Sequence, residues 1–62
     1  MDKIKLIELA NRRGETRSAL VFDDSWVELI RLAGRLADET GVIWNQPNVI
    51  AWLLERERER SE

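Results

Sequence analysis

No cysteine and no histidine occur anywhere in the 62 residues of this chain. Without cysteine there is no disulfide and no thiolate ligand. Without histidine the commonest ligand of zinc and copper is missing. The same absences remove the thiol nucleophile and the imidazole base on which much covalent and acid–base catalysis depends. Ser18, Ser25 and Ser61 remain, but nothing in their surroundings places a base beside them. A chain this short also has little material with which to enclose a substrate pocket of the usual few hundred Å³. The sequence points away from an enzyme, and no cofactor or metal is expected.

Long apolar runs are missing as well. None approaches the ~18 residues of a membrane span. The first residues mix an early acid and two lysines with apolar side chains, unlike the apolar core of a signal peptide. The expectation is a cytoplasmic protein with no membrane contact. A chain of this size buries only about 60% of the surface it exposes when unfolded. Small domains offset that deficit with disulfides, a metal or oligomerisation. The first is excluded and the second disfavoured, so self-association, in the simplest case a homodimer, is the expected device.

What the chain does contain is charge, unevenly placed. The net charge is −2 and the isoelectric point is near 5.1. Lys3, Lys5, Arg12, Arg13 and Arg17 outnumber the acids in the first part of the chain, whereas acids dominate after Leu36. The basic side is therefore the N-terminal one.

Apolar spacing supplies the elements. In residues 1–15, Ile4, Leu6, Ile7, Leu9 and Ala10 fit a short helical stripe with Gly14 beyond its end, although Lys3–Leu6 also alternates as a strand would. Thr16–Phe22 lacks glycine and proline and reads as a strand, with Ser18, Leu20 and Phe22 on one face and Arg17, Ala19 and Val21 on the other. The alternative is that Ala19–Phe22 merely extends into the next helix. Asp23-Asp24-Ser25 signals a helix start, with Ser25 and Glu28 spaced as a capping box and Phe22 placed to staple onto Val27. The helix continues through Trp26, Val27, Leu29, Ile30, Leu32, Ala33, Leu36 and Ala37, a wide apolar face of period 3.6. Gly34 interrupts it at a cost of about 1 kcal/mol relative to alanine, which suggests close approach by another helix. Thr40-Gly41 is the stop. Asn45 caps a second helix with Pro47 in its first turn, and Val49, Ile50, Trp52, Leu53 and Leu54 form its apolar part. Its charged end, Glu55–Arg60, offers the i,i+3 pairs Glu55–Arg58, Arg56–Glu59 and Glu57–Arg60.

This order of strand, acid-started helix, glycine stop, asparagine-started helix and charged tail covers residues 16–60. It resembles the ribbon-helix-helix family of small dimeric DNA-binding proteins. The resemblance implies a mainly α fold. Strand-helix-helix protomers would form an intertwined homodimer through an intersubunit antiparallel β-ribbon, with residues 1–15 as an N-terminal arm and 61–62 as a tail. Carried over residue by residue, it implies that Arg17, Ala19 and Val21 face DNA, and that Asn45 and Gln46 hold a backbone phosphate at a helix N-terminus. The cations Lys3, Lys5, Arg12 and Arg13 would steer or grip phosphates. Leu20, Phe22, Trp26, Ile30, Gly34, Trp44, Trp52 and Leu53 would form the dimer interface. Two departures stand out. The first helix is about a turn longer than in compact members, and of the three outward ribbon residues only Arg17 is a base-reading type.

Two functions compete. One is a small dimeric transcription regulator or antitoxin-type repressor with its ribbon in the major groove. The other is a helical homodimeric adaptor that binds a protein partner through an apolar, tryptophan-bearing surface, a use for which tryptophan is well suited.

Overall fold

The computed structural model describes residues 1–61 and consists of three helices, α1 (Lys3–Asn11), α2 (Asp23–Thr40) and α3 (Gln46–Ser61). Ser61 closes α3, while Glu62, expected with it as a tail, lies outside the described residues.

The ends of the helices follow from local chemistry. Asp2 caps α1, its side chain accepting a hydrogen bond from the Lys5 amide at 2.8 Å. Asp23 and Asp24 occupy the first turn of α2, where acids complement the positive end of the helix dipole. Phe22 is the residue at the cap position and gives no side-chain hydrogen bond. The expected Ser25–Glu28 capping box does not form: Ser25 N donates instead to Asp24 Oδ1 at 2.9 Å. Glu28 pairs with Arg31 at 3.2 Å. Gly41 ends α2 with φ at 74°, the left-handed conformation, and its N–H donates to the Ala37 carbonyl. The Asn45 carbonyl accepts from the amides of Asn48 and Val49 and so begins α3.

The β-ribbon expectation is overturned. No strand occurs among the described residues, and Thr16–Phe22 lies in the irregular, solvent-exposed run 12–22. The physical reason is the ladder. A strand holds its shape by exchanging backbone hydrogen bonds with a second extended segment. Every other long segment of this chain is helical, and no backbone hydrogen bond joins residues 13–21 to the rest. Residues with strand propensity then stay hydrogen-bonded to water. The strand-helix-helix protomer and the intertwined dimer built on its ribbon fall with it.

Helix α3 is the hub, packing against both α1 and α2. The core consists of Ala10, Leu29, Leu36, Trp44, Val49 and Trp52, with Leu6, Leu9, Leu32, Ala33, Ala37, Val42 and Leu53 packed around it. Two polar networks tie it together. Thr40 Oγ1 donates to the Leu36 carbonyl at 2.7 Å and accepts from the Trp44 indole N–H at 3.0 Å. Asn48 Nδ2 donates to the carbonyls of Leu9 at 2.7 Å and Arg12 at 3.0 Å, joining the end of α1 to the first turn of α3. No buried side-chain nitrogen or oxygen among the described residues lacks a partner, as expected where an orphaned polar group would cost more than the bond it forgoes.

Candidate functional site

The apolar arc of α2 is wider than the molecule can cover. Leu29, Leu36 and Thr40 turn inward and are buried, with Leu32 and Ala33 half-buried at their flanks. Trp26, Ile30 and Gly34, each one turn from the next, lie on an adjacent strip that faces solvent, with Val27 beside them. Val27 is 53% exposed and Ile30 52%. The charged side of the helix, carrying Glu28, Arg31, Arg35 and Asp38, begins only beyond that strip. The chain leading into α2 continues the apolar character: Leu20 is 105% exposed and Phe22 82%. Phe22 and Val27, expected to staple together, are both open to water. Scattered exposed apolar residues are ordinary, but a contiguous apolar surface marks an interaction site.

The three tryptophans divide by environment. Trp26 is 47% exposed, whereas Trp44 is 5% and Trp52 7% exposed. Trp44 is fixed by its bond to Thr40. Trp52 is covered on one face by the Arg56 guanidinium, 4.8 Å from the ring centroid. Arg56 thus stacks on Trp52, one helical turn back, rather than pairing with Glu59; Glu55–Arg58 and Glu57–Arg60 do pair, at 3.4 and 3.9 Å. Of the residues expected at a dimer interface, Trp44, Trp52 and half-buried Leu53 therefore belong to the protomer's own core, while Leu20, Phe22, Trp26, Ile30 and Gly34 are exposed.

The residues expected to meet DNA do not gather into one surface. Arg17, Ala19 and Val21 lie on the irregular run and form no ribbon face. Lys3 is exposed on α1. Lys5 Nζ is held by Glu55 Oε1 at 3.1 Å. That bond and the charge of Glu55 raise the Lys5 ammonium above the ordinary lysine value. The same bond holds the Glu55 carboxyl below the ordinary carboxylate value, against its partial burial. Arg13 folds back, its guanidinium donating to the carbonyls of Ala10 and Arg12 at 3.4 and 2.9 Å. Arg12, Arg13 and Asn45 do meet, around a groove of about 590 Å³ that Arg58, Ile50 and Leu54 also line. Two acids, Glu15 and Glu55, share its wall. Gln46 is half-buried at the start of α3.

Asn48 was not singled out by sequence reasoning. The signal available was a polar residue one turn before Trp52, on the inward face of α3 beside Val49. Among the described residues, no helix is long and apolar enough to cross a membrane. No family model, curated protein or solved structure matches this chain.

Proposed function

We propose that this protein is a helical interaction module, a non-catalytic adaptor that works by docking the uncovered apolar strip of α2 against a protein surface. One observation carries the reading: α2 bears more apolar surface than α1 and α3 cover, and the excess is collected on one strip. Trp26, Val27 and Ile30 lie on it, and the exposed Leu20 and Phe22 stand in the chain just before it. Leaving such a surface in water costs roughly 25 cal/mol for each Å² that a partner would cover. Tryptophan at its centre suits a binding hot spot, giving large contact area with few rotatable bonds. The acidic isoelectric point near 5.1 also favours a protein partner over a polyanion.

The test is photo-crosslinking of the full chain, in the cells that make it, from a photoreactive residue placed at Ile30. Adducts from position 30 that are missing from the same probe at Arg35 support the reading. Equal or absent labelling at the two positions overturns it.

A second reading, a DNA-binding regulator without a ribbon, draws support from the gathering of Arg12, Arg13, Asn45 and Arg58 around one groove. It requires salt-dependent retardation of duplex DNA that Arg12→Ala with Arg13→Ala removes. No retardation at low salt eliminates it.

A further inference from the structure

Side-chain size falls in order along the uncovered strip. Trp26 is large, Ile30 intermediate, and Gly34 has no side chain, at intervals of one helical turn. Within the protomer nothing accounts for the glycine. A Cβ built on Gly34 meets nothing within 4 Å. Its backbone is ordinary, since Gly41 is the only residue with positive φ among those described. In an exposed helix interior glycine is about 1 kcal/mol worse than alanine. What Gly34 does provide is a hole in the apolar strip, one turn beyond Ile30.

We propose that the strip is the seat of a second copy of this chain. The two α2 helices dock antiparallel and cross at Ile30, so that Trp26 of each copy fills the space above Gly34 of the other. This rests on the interaction-module reading and names the partner of that same strip. Rotation by half a turn about Ile30 exchanges position 26 with position 34, so the surface is complementary to itself. That is what a two-fold interface requires. A parallel pair would set tryptophan against tryptophan and leave a void between two glycines. Trp26, Ile30 and Gly34 form an i, i+4 ridge, the kind that interdigitates with a like ridge on a neighbouring helix. Antiparallel alignment also opposes the two helix dipoles favourably.

Area agrees. The exposed parts of Phe22, Trp26, Val27 and Ile30 amount to roughly 500 Å² per copy. Two copies would then bury roughly 1,000 Å², the size of a weak and reversible interface. The need is also physical: the protomer's core has only six buried apolar residues, Ala10 among them, in a size class where association commonly completes the fold.

Sedimentation velocity over a concentration series tests the arrangement, with circular dichroism checking that each variant stays helical. The wild-type chain is expected to shift from the 7.3 kDa monomer to a dimer. Gly34→Trp, at an exposed position where a Cβ meets nothing within 4 Å, should weaken the dimer roughly tenfold or more, as should Ile30→Glu and Trp26→Ala. The double variant Trp26→Ala with Gly34→Trp exchanges knob and hole and should recover most of the lost association. A wild-type chain that stays monomeric throughout overturns the proposal, and a double variant no better than Gly34→Trp overturns the register. The crosslinking above separates the two levels. Adducts only with another protein sink the second-copy proposal and leave the interaction module standing, whereas no adduct specific to position 30 sinks the module itself.

Discussion

Asn48 and Leu9 stand 39 residues apart in the chain and 2.7 Å apart in space, joined by a hydrogen bond from the Asn48 amide to the Leu9 carbonyl. The same nitrogen reaches the Arg12 carbonyl. One side chain thus closes the exposed end of α1 and fixes it to α3. Asn48→Leu keeps the approximate volume and removes both bonds, leaving the Leu9 carbonyl to the Arg12 amide and the Arg12 carbonyl to Arg13. The expected loss is about 2 kcal/mol, read as a lower urea midpoint with the slope unchanged. Asn48→Asp should cost at least as much, because it turns a carboxylate toward two carbonyl oxygens.

Thr40 and Trp44 form a second coupled pair. Thr40→Val removes the acceptor of the indole N–H and the donor to the Leu36 carbonyl. A loss of roughly 1–3 kcal/mol is expected. Trp44→Phe removes the other partner, and in a double-mutant cycle the combined variant should lose less than the sum of the single ones. Additive losses would show that the two residues are not coupled.

Lys5 and Glu55 make the docking of α1 on α3 sensitive to pH. The folded carboxyl of Glu55 titrates below its unfolded value. Its contribution is complete above the ordinary carboxylate pKa and fades as pH falls through the lowered one. The ammonium of Lys5 titrates above its unfolded value. Its contribution is complete below the ordinary lysine pKa and fades as pH rises through the raised one. The pair's contribution to stability should therefore be flat between the two ranges and decline at both ends. Glu55→Gln should flatten the acid limb, and its difference from wild type should vanish at low pH. A constant difference across the acid range would contradict the pairing.

Trp26 should dominate the response to an aqueous fluorescence quencher, because Trp44 and Trp52 are buried. Trp26→Phe should remove most of the quenchable emission from a dilute sample. In the wild-type chain, quenching should weaken as concentration rises and a second copy covers Trp26. Quenching independent of concentration would show that Trp26 stays open.

Features set by neighbouring residues were the legible ones. The left-handed stop at Gly41, the acids that open α2, and the Asn45-Pro47 entry into α3 each act within one helical turn, so their signal is local. The run 16–22 has the composition of a strand without forming one because β-propensity describes what a residue does once a ladder exists, and no ladder partner occurs among the described residues. The three tryptophans could not be sorted from spacing. All lie on apolar faces, and only the packing of α1 and α3 decides that Trp52 is covered while Trp26 is not. The pairing of Lys5 with Glu55 was equally hidden, since it joins the first helix to the last. Of the residues expected at an interface, Leu20, Phe22, Trp26, Ile30 and Gly34 are uncovered in the protomer, and the burial of Trp44 and Trp52 was not legible.

Residues 12–22 connect α1 to the rest with no regular structure of their own. Fully extended, they reach roughly 36 Å, more than the 30 Å longest dimension of the whole molecule. On such a tether α1 behaves as a built-in ligand of the α2–α3 pair, its occupancy set by an effective concentration rather than by covalent constraint. Trypsin cutting at Arg17 would turn it into a free peptide that dilution removes, opening the seat of Ala10.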